Sequence, residues 1–355
     1  APEQPGVYDT YARLLGLDQE PGSIASENPT PLGEAFKRRL FSASLASLRL
    51  LTAGHPSVLV LDDLHWADPA SVEVIQHLFQ LVDTAPILFL CASRPERSAP
   101  SWELKAGADK EYPHRYQEAS LSPLSEEETM ALLNGLLSQF QWPPKLQALI
   151  LEKSEGNPFF IEEVVRTLID DGVVRKDDVD GRWQAGPLVG NFTVPGSLQA
   201  LLAARIDRLP EPDRAILQLA SVIGRSFSYP ILQHLNQNGA DLDRSLALLQ
   251  RADLVLERPL VPGETTPDRQ FRFRNTLAQE TVYRSIPRKL RRQYHRRDGQ
   301  ALLDCQGDTA LAPETLVALA YHFHQAGDSR AINTNRQAGD AAFQLYANHE
   351  AATYY

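Results

Sequence analysis

The chain has 355 residues, 43% of them hydrophobic and 23% charged, with a formal net charge of −10. That is ordinary globular composition, long enough for two to four domains; it argues against a generally nucleic-acid-seeking surface but leaves room for a local basic patch. Two cysteines, Cys91 and Cys305, cannot build a disulfide framework and fit a reducing, cytosolic setting. The longest apolar runs are too short to cross a bilayer, and no secretion leader is visible, so no membrane partner is expected. The start at Ala1 and the stop at HEAATYY, inside a helical pattern, read as the ends of a piece of a larger protein.

In chain order, residues 1–30 are rich in Pro, Gly and Ser, with one helical-looking piece at 7–15. Phe36, Leu40, Phe41, Leu45, Leu48 and Leu51 recur at helical spacing, and Gly54 and Pro56 stop that helix. Residues 58–61 are wholly apolar and rich in valine, the pattern of a parallel strand buried on both faces. Asp62 and Asp63 follow at its C-terminal tip, where open α/β sheets place ligands. Asp68-Pro69 predicts an N-cap and N1 proline, opening a helix to about Val82. Residues 87–92 form a second buried strand ending in Ser93-Arg94. A strand-tip carboxylate suits Mg²⁺, a second acid can orient an attacking water, and an arginine on the next strand can reach a phosphate. Together they form the ligand set of a phosphoryl-transfer site; the plain alternative is two acids that end a strand and cap a turn.

LVLDDLHWADPAS resembles the Walker B segment of STAND-type AAA ATPases. These are the NTPase regulators of large bacterial LuxR-type transcription activators, also found beside class III nucleotide cyclase domains. The resemblance implies ATP or ADP with Mg²⁺ as cofactors. It implies that Asp62 coordinates the metal, that Asp63 serves the catalytic water, and that Arg94 is the sensor of the γ-phosphate.

Further along, residues 116–121 read as a third strand. Ser125 with Glu128 makes a capping box for a helix through Leu137. In EGNPFFIEEVVRTLIDDGVV, Asn157 is a good N-cap, Pro158 an N1 proline, and Phe159, Phe160, Val164, Val165 and Leu168 an apolar helix face ended by Gly172. Alone this is a well-capped amphipathic helix. Beside the Walker B resemblance, GNPFF looks like the Gly-x-Pro motif of the family's helical lid, which implies that Pro158 sits against adenine and that Asn157 is close by. Residues 173–184 read as a hairpin turning at Asp180-Gly181. Two amphipathic helices split by Leu209-Pro210 follow, then helical patches at 230–235 and 242–252. Paired strands at 254–260 and 270–274 complete a winged helix. In the resembled family such a unit packs on the nucleotide site rather than on DNA.

FRFRNTLAQETVY matches the family's closing segment, except that Asn275 stands where the pattern carries a histidine that touches the β-phosphate of ADP. Asparagine can donate a hydrogen bond there but cannot carry charge. Residues 284–297 hold seven Arg/Lys and no acid. They fit a phosphate- or nucleic-acid-binding helix, or a solvated helix with Ile286, Leu290 and Tyr294 facing inward. The second is preferred, since no aromatic stacking platform is interleaved. QAGD at 325–328 and again at 337–340, each beside a helix rich in alanine and aromatics, suggests stacked tetratricopeptide-like helix pairs that take a protein partner or inducer.

No Gly-x-x-x-x-Gly-Lys-[Ser/Thr] occurs, and no Gly-Lys dipeptide at all. Either that loop lies upstream, or the chain is a non-hydrolysing relative. A slot in the sheet, marginal stability and weak ATP binding are therefore expected. The expected fold is mostly helical: a partial α/β P-loop NTPase core (residues 1–122), a helical lid with a hairpin (123–193), a winged helix (194–284) and tetratricopeptide-like helical repeats (285–355). The expected function is an ATP-binding switch module of a transcriptional regulator or nucleotide cyclase, with DNA contacted only through an effector domain elsewhere. A non-catalytic scaffold and an origin-recognition-type replication ATPase are the alternatives.

Overall fold

The computed structural model describes residues 33–177, 181–186, 194–236, 239, 241–258, 269–306, 311–344 and 348–355. The helical piece at 7–15, Asp180 of the hairpin turn, and residues 259–260 of an expected strand lie outside them. The chain divides into two compact units.

The first unit opens with helix α1 (Gly33–Thr52), which ends as its sequence requires, at Gly54 with φ 124° followed by Pro56. Strand β1 (Ser57–Leu61) follows. The Asp68 carboxylate then caps helix α2 (Pro69–Leu78), accepting the Ser71 amide at 2.8 Å with Pro69 at N1, and a 3₁₀ turn (Phe79–Asp83) extends it. Strand β2 (Ile87–Cys91) returns parallel to β1, in register from Ser57 opposite Ile87 to Leu61 opposite Cys91. Helix α3 (Ser101–Glu111), which the sequence reading missed, packs with α2 over one face of this pair. Leu64, Val72, Phe79 and Leu104 form the core there, with Leu61 and Phe89 against it.

Two expectations are corrected. Neither strand is buried on both faces. Leu59, Leu61, Ile87 and Phe89 turn toward the helices, while Val58, Val60, Leu88 and Leu90 remain 55–61% exposed, because strand side chains alternate and no described element covers the second face. Residues 116–121 form no strand, and Leu121 is 98% exposed. An extended segment with no ladder partner among the described residues leaves its backbone groups to water.

The second unit begins with α4 (Glu126–Leu136), which carries the full capping box: the Ser125 hydroxyl accepts the Glu128 amide, and the Glu128 carboxylate accepts the Ser125 amide. Next come α5 (Pro144–Ser154), also missed from sequence, and α6 (Pro158–Asp170). The hairpin β3 (Val174–Lys176) and β4 (Trp183–Ala185) is antiparallel, with Gly181 at φ 70° beside the turn. Phe160, Ile161, Val164 and Leu168 of α6 meet Leu133 and Ile150 in one core.

Helices α7 (Leu198–Asp207) and α8 (Glu211–Ile223) follow, then β5 (Ser226–Ser228), α9 (Tyr229–Leu235), α10 (Leu242–Arg251), β6 (Val255–Glu257) and β7 (Gln270–Phe273). The wing has three antiparallel strands in the order β5-β7-β6, not two; β5 spans three residues, too short for an alternating pattern to announce. Its core joins Leu217, Phe227, Leu246, Phe271, Phe273 and Val282. Adjacent residues of α7 serve different cores: Leu201 joins the α4–α6 cluster and Leu202 the winged-helix cluster. Helices α11 (Thr276–Ser285) and α12 (Arg288–Gln306) complete the series. On α12, Tyr294 packs at the edge of the winged-helix core and Ile286 just before it is buried, so the inward-facing reading of these residues holds.

Helices α13 (Pro313–Ala326), α14 (Arg330–Gln344) and α15 (Asn348–Tyr354) form the tail. The two QAGD segments are not structurally equivalent. The first ends α13, where Gly327 at φ 63° and the Asp328 amide bonded to the Phe323 carbonyl make a helix C-cap. The second lies inside α14, where Gly339 leaves room for the Tyr355 ring and Asp340 accepts the Tyr355 hydroxyl at 2.7 Å. The chain is mostly helical, as expected.

Candidate functional site

The C-terminal edge of the β1–β2 pair gathers three of the expected residues. Ladder bonding continues one step past the strands: the Ala92 amide donates to the Leu61 carbonyl at 2.8 Å, and the Leu64 amide to the Ala92 carbonyl at 3.0 Å. These two bonds pin the Asp62-Asp63 loop to the loop that leads to Arg94. Asp62 is exposed; its Oδ1 accepts the Asp63 amide at 2.9 Å, and among the described residues no ion pair engages it. Asp63 adopts the left-handed conformation, φ 54° and ψ 34°. Aspartate tolerates that region better than most residues, and such conformers cluster at ligand sites. Arg94 is exposed on the same edge.

This arrangement fits Mg²⁺, which is held by one or two carboxylates plus waters and phosphate oxygens rather than by a cage of side chains. Among the described residues no group of three or more His, Cys, Asp or Glu could enclose a metal.

Two neighbours complete the edge. Burial works against ionisation of Asp68, but hydrogen bonds from the Ser71 hydroxyl and amide outweigh it and hold the carboxyl below the usual range. His65, in the turn Leu64–Trp66, has both ring nitrogens buried with no hydrogen-bond partner among the described residues. Sequence reasoning did not single it out, although it is the first residue of HWAD. Buried imidazole nitrogens without partners are costly.

The remaining expected residues lie in the second unit. Asn157 Oδ1 accepts the amides of Phe159 at 3.0 Å and Phe160 at 3.4 Å, and Pro158 occupies N1 of α6. Gly156 precedes them at φ 72°, against the Leu124 backbone, where any Cβ would collide. Gly-Asn-Pro is thus fully accounted for by the start of this helix, whatever else it touches. Asn275 caps a different helix, α11: its Oδ1 accepts the Ala278 amide at 2.7 Å. Its amide nitrogen remains to donate. Next to it, Arg274 binds Asp253 at 2.5 Å, and Asp253 also binds Arg166 of α6 at 2.6 Å.

Residues 8–90 match the model of the AAA ATPase domain. The matched stretch takes in β1, the two aspartates, α2 and nearly all of β2. The chain is similar to an uncharacterized protein of Rhizobium meliloti, 29% identical over 91% of this chain and 29% of that protein. It is also similar to the peroxide stress-activated histidine kinase mak3 of Schizosaccharomyces pombe, 22% identical over 99% of this chain and 15% of the kinase. The chain therefore spans less than a third of either relative. Among solved structures it resembles a signal transduction ATPase with numerous domains (STAND) with a tetratricopeptide repeat sensor from Pyrococcus horikoshii. That likeness has TM-score 0.49 and 13% identity over 97% of this chain and 45% of that one. No helix among the described residues is long and apolar enough to cross a membrane.

Proposed function

We propose that this chain is the nucleotide-responsive switch module of a STAND-type signalling protein. The observation that carries the reading is the shared edge of β1 and β2. It places Asp62, Asp63 and Arg94 at the C-terminal ends of two paired parallel strands, and the two aspartates lie within the segment that matches the AAA ATPase domain. On this reading Asp62 holds Mg²⁺, Asp63 orients the attacking water, and Arg94 answers to the γ-phosphate. Mg²⁺ supplies charge neutralisation for the phosphates. Pro158 contacts the adenine, and the Asn275 amide donates toward a β-phosphate. The helical tail takes a protein partner or an inducer, and the output belongs to an effector domain, a cyclase, a kinase or a DNA-binding domain, elsewhere in a longer polypeptide. The module works in the cytoplasm.

The test compares ATP binding by this chain with binding by a chain extended about a hundred residues upstream, a span that covers a glycine loop with its lysine. Micromolar, Mg²⁺-dependent binding by the extended chain, lost in Asp62→Ala, supports the switch. An extended chain that lacks the lysine and binds no ATP leaves a scaffold that keeps the fold. That second reading draws on one observation: every residue of Gly156-Asn157-Pro158 already has a structural task.

A further inference from the structure

The basic run at 284–297 divides sharply once its partners are known. Four of its seven cations serve the fold. Arg284 meets Glu280 at 3.5 Å, and Arg291 donates to the Ile286 carbonyl at 3.0 Å while lying over the Tyr283 ring. Arg297 donates to the Leu235 carbonyl, and Arg296 binds Asp328 at 3.0 Å. Arg288, Lys289 and Arg292 make no hydrogen bond or ion pair among the described residues. These three are the ones that, with Gln293 and Arg296, line a groove of about 580 Å³ whose far wall is Ala326-Gly327.

Arg288, Arg292 and Arg296 stand four residues apart, one above the next on α12, where like charges repel and destabilise the helix. An anion in the groove removes that repulsion. The groove holds no aromatic ring to stack a base and no apolar wall, only cations, one amide and two small residues. Its volume falls in the range of small-molecule sites. The chain as a whole is acidic, at −10, so a long polyanion meets repulsion beyond the groove, whereas a compact one feels charges within a Debye length of about 8–10 Å.

We propose that this groove is an anion site for a compact molecule carrying two or more clustered phosphates. The bound anion joins the first turns of α12 to the turn that ends α13, alongside the Arg296–Asp328 pair. The proposal does not depend on the nucleotide reading of Asp62.

The test is calorimetric titration of the 355-residue chain with inorganic triphosphate in about 150 mM NaCl, an ionic strength that screens diffuse attraction. One site of micromolar affinity is expected. The triple variant Arg288→Glu, Lys289→Glu, Arg292→Glu should weaken it at least tenfold, while Arg251→Ala, at an exposed arginine outside both this groove and the β1–β2 edge, leaves it unchanged. Without ligand the triple variant should melt no lower than the parent chain, because its substitutions remove like-charge repulsion, so lost binding is not lost folding. ATP and vesicles containing phosphatidylinositol bisphosphate, run as competitors, distinguish a nucleotide tail from a lipid headgroup as the source of the phosphates. Absence of triphosphate binding overturns the proposal. So does binding indifferent to the triple variant, or a preference for duplex DNA that triphosphate cannot displace.

Discussion

Arg205 of α7 donates to the carboxylate of Glu163 on α6 at 2.7 Å, and both side chains are almost fully buried. The pair crosses the boundary between the expected lid and the expected winged helix. It does not act alone: Arg166 and Arg274 share Asp253, Arg208 binds Asp171 at 2.6 Å, and the neighbouring leucines of α7 feed both cores. The expected lid and the expected winged helix are therefore tied together by buried and half-buried ion pairs as well as by packing.

Removing one member of the buried pair strands the other. Glu163→Leu should destabilise the second unit by about 3–5 kcal/mol, and the double variant Glu163→Leu, Arg205→Met should recover most of it, since well-packed apolar residues often replace a buried pair at no net loss. Urea melts of the four chains of this cycle measure it. A double variant no more stable than the single one would mean that the pair's packing, not its charge, is what matters.

Asn157→Ala and Asn275→Ala should each cost about 1 kcal/mol by cap loss alone. Pro158→Ala should change stability by less than about 0.5 kcal/mol, the usual range for substitutions that leave no cavity or unpaired group. Gly156→Ala should be far worse, because its Cβ has no space and φ 72° is unfavourable. Thermal melts separate these. A loss of nucleotide affinity in Pro158→Ala, with stability intact, would then report contact with the base.

The cluster His295, His322 and Asp298 links α12 to the last turn of α13. The Tyr283 hydroxyl lies 2.9 Å from His295 Nε2, His295 Nδ1 lies 3.0 Å from His322 Nδ1, and the latter lies 3.3 Å from Asp298. Burial holds His295 down to about 4, with Arg291 adding to the effect; burial and His295 hold His322 down to about 3. Burial pushes Asp298 up to about 7. The histidines' contribution is present above about pH 6.5, their unfolded value, and is lost as pH falls toward 4. Asp298 acts the other way, losing stability as pH rises from about 4 through 7. Asp298→Asn should therefore gain more, relative to the parent chain, at pH 8 than at pH 5, by an amount on the order of 2 kcal/mol. Equal shifts at both pH values in chemical denaturation would show that Asp298 is already ionised in the folded chain at pH 5.

The face of β1–β2 that no other described residue covers predicts self-association. Replacing Val60 and Leu90 with threonine should raise the concentration at which sedimentation shows oligomers, at a stability change under about 0.5 kcal/mol.

What was legible in the sequence was local. Asp68-Pro69, Ser125 with Glu128, and Asn157-Pro158 announce helix starts because the capping partners lie within three residues. The two strand ends that carry the candidate residues were legible for the same reason, with two acids and an arginine each following an apolar run. What failed depended on distant partners. The alternation that exposes Val58 and Leu88 is invisible in a uniformly apolar run, and residues 116–121 have strand composition but no strand to pair with. Helix α3 combines a weak apolar stripe with a central Gly107, and β5 is simply too short. The resemblance implied a phosphate contact for Asn275, and its capping bond to the Ala278 amide was not anticipated.

Helix α6 runs from Asn157-Pro158 at one end to Asp171, bound to Arg208, at the other. Thirteen residues of α-helix make a rod of about 20 Å. Clamped at its middle by Glu163 and Arg166 and at its far end by Asp171, that rod is a rigid lever. Pro158 is thereby joined, through one uninterrupted helix, to the residues that hold α7 and Asp253.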